Sequence, residues 1–263
     1  MRPTRGRLAA FSGARRAVAA VLLGAIPAAI PAAIPAQVPA GRGFLLGTPE
    51  GTFTLRGGWA LASARSDVFS FTTERLTLDR GDFSSPAIAA DLSFPINRRT
   101  DLVISGAFQG TTKRSEFRAF IDNNDQPIEQ RTMFDRVPLT VSVKRYLTNR
   151  GRSIGRLAWI PSRFSPYIGA GGGIMWYRFK QVGDFIDFNS GTLDVFPATL
   201  ASDGWAPTVH ALAGGEWNLS PRLAAVTEAR YEWAHATLSK DFSGFGRIDL
   251  SGLSTTAGIV VRF

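Results

Sequence analysis

Beyond residue 50 the chain alternates apolar with polar or small positions at a period of two, the signature of strands that present different faces to different surroundings. Eight segments carry the pattern. The first, 52–63, sets Phe53, Leu55, Gly57, Trp59 and Leu61 against Thr54, Arg56, Gly58 and Ala60. In 87–94, Ile88, Ala90, Leu92 and Phe94 oppose Ala89, Asp91 and Ser93, and from 101 Leu102, Ile104, Gly106 and Phe108 oppose Val103, Ser105, Ala107 and Gln109. A fourth sets Val137, Leu139, Val141 and Val143 against Thr140, Ser142, Lys144 and Tyr146. The fifth, 167–181, has no readable phase because Gly169, Gly171, Gly172 and Gly173 remove the side chains that would reveal it. The sixth places Val209, Ala211, Ala213, Gly215 and Trp217 opposite His210, Leu212, Gly214 and Glu216, and the seventh Ala229, Tyr231 and Trp233 opposite Glu228, Arg230 and Glu232. The eighth, 246–263, alternates Leu253, Thr255, Ala257, Ile259, Val261 and Phe263 with Gly252, Ser254, Thr256, Gly258, Val260 and Arg262.

The spacing between segments adds independent information. Connections 95–99 and 220–222 are short and rich in turn residues, whereas 64–86, 112–135, 182–204 and 236–246 are long. Short and long connections on alternate ends are what a transmembrane β-barrel requires, with lipid outside and a tight, mostly polar interior. The predicted fold is therefore all-β: a closed antiparallel eight-stranded up-and-down transmembrane β-barrel in which the last strand pairs with the first. Connection 148–165 is the exception, long where a short turn is expected. Aromatic residues predict two interfacial girdles, Phe94, Tyr146, Trp217 and Phe263 at one rim and Trp205, Tyr231 and Trp233 at the other.

The first forty residues differ in kind. They hold five arginines, no acidic residue, an apolar run from Ala17, and Val38-Pro39-Ala40 ahead of Gly41. This reads as a cleavable signal peptide over 1–40, leaving a barrel domain over 41–263. Pro27, Pro31 and Pro35 interrupt the apolar run too early for a spanning helix. The formal net charge of +9 is then partly a property of the leader: without its five arginines, 25 basic residues face 21 acidic ones. No basic run interleaved with aromatics remains, which argues against nucleic-acid binding. Cysteine is absent, so neither disulfides nor thiolate chemistry is available.

With this leader, Pro166-Tyr167-Ile168-Gly169-Ala170-Gly171-Gly172-Gly173, Glu228-Ala229-Arg230-Tyr231 and the closing Ala257-Gly258-Ile259-Val260-Val261-Arg262-Phe263, the chain resembles the small eight-stranded outer-membrane barrels of the OmpA transmembrane-domain, OmpX and OmpW type. The resemblance implies residence in the outer membrane of a Gram-negative-type envelope, in contact with lipid and lipopolysaccharide-type glycolipid. It also implies recognition by the barrel-assembly machinery, with Ile259, Val261 and Phe263 at the matching positions. It leaves function open, since one architecture serves anchors, conduits and enzymes.

Candidate chemistry lies on the polar face. Arg56, Asp91, Lys144, Glu216, Glu228, Arg230 and Glu232 would all point into an interior just wide enough for side chains, so a salt-bridged plug is expected rather than an ion pathway. Removing Arg230 should then cost stability more than activity. Histidine is limited to His210 and His235, neither with a serine two positions on, which disfavours a His–Ser deacylase, although a triad could still assemble across strands. The glycine-rich 169–174 lacks the Lys-Ser/Thr of a nucleotide loop and reads as strand packing. Asp122-Asn123-Asn124-Asp125 reads as a turn, with 115–121 and 128–134 able to continue its hairpin. Arg65, Arg75, Arg80, Lys113, Arg114, Arg118, Arg131 and Arg136 scatter through the long connections, where phosphate-bearing glycolipid could meet them. The expected protein is a non-enzymatic, monomeric barrel without cofactor or metal, its work lying in the outer loops. An OmpW-like conduit for small hydrophobic molecules is the main alternative, and a lipid-modifying enzyme the third.

Overall fold

The computed structural model describes residues 44–121, 126–154, 158–186 and 195–263. The leader and the Asp122–Asp125 turn lie outside the described residues. Eight long strands follow in chain order: β1 (Thr52–Ala62), β2 (Ser85–Asn97), β3 (Thr100–Ile121), β4 (Pro127–Tyr146), β5 (Phe164–Ile186), β6 (Val195–Asn218), β7 (Leu223–Thr237) and β8 (Gly252–Arg262). Each pairs antiparallel with the next, and β8 returns onto β1 from Gly252 opposite Ala62 to Arg262 opposite Thr52. The eight strands thus form an up-and-down ring in which each has a neighbour on both sides, so within the ring none presents an open row of backbone donors and acceptors.

Alternation sorts the side chains as the sequence pattern requires. Leu55, Ile88, Ile104, Val141, Ile168, Val209, Trp233 and Ile259, one from each strand, point outward and remain 46 to 60% exposed. Thr54, Arg56, Asp91, Ser105, Ser142, Glu216, Glu228 and Thr256 point inward and are buried. In β5 the odd-numbered residues face in, which settles the open register: Ser165, Tyr167, Met175, Tyr177 and Phe179 are buried, while Ile168 and Ile174 face out.

Three inward glycines on β5, Gly169, Gly171 and Gly173, allow the flanking strands to crowd over it. A Cβ on Gly171 would collide with the Val141 carbonyl and come within 3.0 Å of the His210 ring. On β6, Gly214 lies opposite both Tyr167 and Glu228, and a Cβ there would sit 2.6 Å from the Tyr167 hydroxyl.

The interior has two halves. Toward the end that carries the short turns (the turn end) it is ionic. Toward the other, the loop end, it is apolar, which corrects the expectation of a mostly polar interior. There the first long connection supplies helix α1 (Asp67–Arg75), with Asp67 in its first turn and Arg75 in its last, each matched to the dipole. Its buried face, Val68, Phe69 and Thr72, turns into the ring. The Phe69 ring packs edge-on at 4.7 Å from Phe83, 5.3 Å from Phe134 and 5.6 Å from Phe179, and Phe242 of the last long connection lies 5.3 Å from Phe179. Met175, Ile248 and Leu250 complete a fully buried cluster. The pattern of β5 conceals it, since its inward apolar residues follow a polar and glycine-rich stretch.

Other differences concern element ends. β3 and β4 continue as a paired ribbon beyond the ring, as expected of 115–121 and 128–134, and β5 and β6 do the same where 182–204 was expected to be a connection. The last strand begins at Gly252, after a short strand, Arg247–Asp249, that pairs with the end of β7. Tyr146, expected in a girdle, is buried inside, and Arg136, expected among the loop cations, is buried with its Nη1 donating to the Leu250 and Ser251 carbonyls at 2.9 and 3.3 Å. The long connection 148–165 now has an account. Gly151–Ile154 and Ala158–Pro161 pair as a hairpin, Leu45–Leu46 adds a third strand, and Trp159 is buried beneath, its ring 5.7 Å from the Arg262 guanidinium.

Two predictions follow from packing and from one loop contact. Gly171→Val should lower stability by about 1–3 kcal/mol, whereas outward Gly57→Val, with only the Ala87 carbonyl at 3.9 Å, should stay within about 0.5 kcal/mol, read from urea unfolding in lipid vesicles. At the loop end, the Asp79 backbone N–H donates to the Asp82 carboxylate at 2.9 Å; this bond, against some desolvation and aided by Lys113 at 3.1 Å, holds the Asp82 carboxyl below the usual carboxylate range. A depressed folded-state pKa contributes stability above the ordinary value near ~4 and loses it as pH falls through the lower folded value. Proteolysis of residues 79–84 should therefore accelerate on acidification below about pH 4, and Asp82→Asn should flatten that dependence.

Candidate functional site: the ion-paired interior

The turn-end half of the ring contains the densest set of buried charges. Arg56 on β1 is its hub. Its Nε and Nη2 donate to both oxygens of Asp91 on the adjacent β2 at 3.0, 2.9 and 2.7 Å, a two-pronged pairing suited to a guanidinium. Its Nη1 crosses β8 to reach Glu228 Oε1 at 2.6 Å and also donates to Thr256 Oγ1 at 3.1 Å. Arg230 sits two residues beyond Glu228 on the same face of β7 and donates to the same Oε1 through Nε at 3.2 Å. Tyr167 completes the carboxylate by donating its hydroxyl to Glu228 Oε2 at 2.9 Å, over the space that Gly214 leaves open.

A second group lies nearer the turn end. Glu216 on β6 accepts from the Tyr146 hydroxyl at 2.6 Å and from Arg262 Nη2 at 3.1 Å, with Lys144 Nζ at 3.5 Å. Lys144 also stands 4.5 Å from the Tyr167 ring centre, so it bridges the two groups through a cation–aromatic contact. At the mouth Arg150 donates to Asp101 at 2.8 Å and lies over the Tyr146 ring.

Of the seven interior residues that alternation singles out, six fall into these groups: Arg56, Asp91, Glu228 and Arg230 in the first, Lys144 and Glu216 in the second. Glu232 stands apart, two residues toward the loop end, and takes one long hydrogen bond from Gln109 at 3.4 Å. The interior set expected from the sequence leaves out Tyr146, Tyr167 and Arg262. For Tyr146 and Arg262 the available signal is their position on the polar face of their strands, and for Tyr167 it is hidden by the glycines that follow it.

One further pair lies between the ionic groups and the apolar cluster. Ser142 on β4 and His210 on β6 meet across Gly171, Oγ to Nε2 at 2.8 Å. Both face the interior and are buried, and His210 Nδ1 has no hydrogen-bond partner among the described residues. A hydrolytic serine needs a base oriented by a third group and open to substrate, and this pair offers neither. Glu216, like the other carboxylates of the network, is engaged elsewhere. Among the described residues no cluster of histidine, cysteine and carboxylate side chains is arranged to hold a metal ion.

Both the family-model scan and the search of curated proteins return no match for the chain. Among solved structures it is similar to the outer membrane protein OprG from Pseudomonas aeruginosa, at 15% identity and a TM-score of 0.43, over 83% of this chain and 99% of that one. It is also similar to Neisserial surface protein A, at 12% identity and a TM-score of 0.42, over 84% and 98%. Ail of Yersinia pestis, solved with the heparin analogue sucrose octasulfate, matches at 17% identity and a TM-score of 0.38, over 81% and 99%.

The first ionic group makes a quantitative prediction. Arg56→Ala leaves Asp91 and Glu228 buried with fewer partners and should cost about 3–5 kcal/mol, while exposed Arg114→Ala should cost no more than about 0.5 kcal/mol. Urea unfolding in lipid vesicles measures both. Equal effects would show that the network contributes no more than surface charge.

Proposed function

We propose that the chain is an integral outer-membrane β-barrel of a Gram-negative-type envelope, exported by the 1–40 leader, whose interior is a plug and whose work is done by the ribbons and loops at its loop end. The observation that carries this reading is the outward belt. All eight strands contribute large apolar side chains that are half-exposed, and an aqueous protein would bury such a continuous surface. Lipid accepts it, and ring pairing supplies the backbone bonds that lipid cannot. In this orientation the turn end faces the periplasm and the loop end faces outward. Phe94, Trp217 and Phe263 near one rim, and Trp205 and Trp233 near the other, are exposed on the belt at headgroup depth.

Support for a plug comes from both halves of the interior. Ion pairs fill the periplasmic half, and α1, Phe83 and Phe242 pack the outer half against β4 and β5. That packing also weighs against an OmpW-like passage for hydrophobic molecules. The enclosed Ser142–His210 pair gives no lipid-facing nucleophile, which favours a non-enzymatic role. Beyond the outer girdle, Arg114 lies directly opposite Arg131, both exposed on the outward face, with Lys180 diagonal to them on β5. Three cations at that height suit the phosphates of lipopolysaccharide-type glycolipid, the expected lipid partner. Ile259, Val261 and Phe263 stand on the outward face of the last strand, accessible to the barrel-assembly machinery.

Conductance tests the plug. Purified protein in planar bilayers should give no reproducible current steps, and regular steps from the unmodified chain would replace the plug with a pore.

A further inference from the structure

At the turn end a cavity of about 570 Å³ opens between the first short turn, the paired strands Gly151–Ile154 and Ala158–Pro161, and the end of β8. Its lining includes four arginines, Arg98, Arg150, Arg152 and Arg262, and no aspartate or glutamate. We propose that this cavity, at the mouth of the second ionic group, is a binding site for a small polyanion carrying phosphate or carboxylate groups, distinct from the outward cations.

The arrangement is built rather than incidental. Two of the arginines are anchored from behind by buried carboxylates that do not line the cavity: Asp101 holds Arg150 at 2.8 Å, and Glu216 holds Arg262 at 3.1 Å. Arg262 is further braced against the Trp159 ring. Arg150 gives Nη1 to Asp101, and Arg262 gives Nη2 to Glu216 and Nη1 to a long bond with the Pro221 carbonyl at 3.5 Å, so of five N–H donors each guanidinium keeps some for a ligand. The other two differ: Arg98 and Arg152 are exposed and have no carboxylate partner among the described residues. Two fixed cations inside and two unpaired ones at the rim, with no lining acid to neutralise them, focus positive potential into one concavity. Asn97, Asn149, Ser153 and Ser162 supply further polar groups around it.

Guanidinium forks pair equally well with phosphate and carboxylate oxygens, which fixes the ligand class by chemistry. The cavity is of the size that holds ordinary small-molecule ligands, so it has room for more than a single inorganic ion. A ligand with two or more oxyanion groups could engage the anchored and the rim arginines together. Under the proposed membrane orientation this site faces the periplasm, where it would take an acidic group of a periplasmic molecule. The binding itself does not depend on whether the interior conducts.

Isothermal titration of the folded, detergent-solubilised protein at low ionic strength tests the site, with tripolyphosphate and citrate as separate probes. At least one probe should bind saturably at one site per chain, and the tighter of the two identifies the oxyanion the cavity takes. Arg98→Ala combined with Arg152→Ala should weaken it by about a hundred-fold, since each lost charge-assisted contact contributes roughly a factor of ten. Arg114→Ala with Arg131→Ala, at the opposite end, should leave affinity unchanged. The exposed positions of all four keep the fold intact, which retention of heat-modifiable migration in gels verifies. Absence of saturable binding by either probe, or equal affinity in the two double variants, would overturn the proposal, and a conducting interior would leave the titration unaffected.

Discussion

Ring closure is the constraint on which everything else depends. A sheet whose outer face is apolar on every strand cannot leave a row of backbone N–H and C=O groups open, because nothing in an apolar surrounding would satisfy them. Pairing β8 with β1 removes the edges, and its register then dictates which residues meet inside. With Gly258 opposite Arg56, the guanidinium reaches over β8 to Glu228. Closure therefore comes with an obligation: the charges it encloses must pair with one another. The Arg56, Asp91, Glu228 and Arg230 group meets that obligation within the ring wall.

The two halves of the interior meet it differently. At the turn end, charges satisfy charges, aided by the hydroxyls of Tyr146 and Tyr167. At the loop end, chain folded back from the long connections brings its own apolar residues, and Phe69 fills space that inward side chains of the strands leave. Buried ion pairs carry a desolvation cost that often cancels their attraction, so the ionic half contributes specificity of arrangement more than net stability. The aromatic half contributes ordinary apolar burial. Ion pairs toward one end and packed aromatics toward the other are what the proposed plug rests on.

Much of this was legible from alternation alone. Strand number, antiparallel order, the pairing of last with first and the inward set from Arg56 to Glu232 all follow from period two, because a one-residue error would turn every side chain to the wrong face. Four things were not fully legible. Strand ends were legible only in part: 115–121 and 128–134 read as a continued hairpin, whereas the continuation of β5 and β6 past the apolar belt carries no comparable pattern. The apolar cluster was hidden because Phe69 and Phe242 come from connections, and no periodicity in a connection announces that it folds inward. Tyr146 was misplaced because an aromatic near a strand end reads as a girdle residue unless its parity is given more weight than its type. The cavity at the turn end escaped for a similar reason: its arginines come from three separate places, and only the fold brings them together.

The glycines have a further consequence, for how the ring recognises its own correct alignment during assembly. Contacts such as Tyr167 to Glu228 join strands that are not neighbours, and they form only when the glycine of the strand between is level with both. β5 offers glycine at three successive inward positions, so a slip of two residues there would still leave a gap. β6 is less forgiving: Gly214 is flanked on its inward face by Leu212 and Glu216, and a two-residue slip would interpose a bulky side chain. Gly214 is thus the position whose level decides whether Tyr167 reaches Glu228: a register slipped by two residues would keep its backbone ladder and lose a contact that spans three strands.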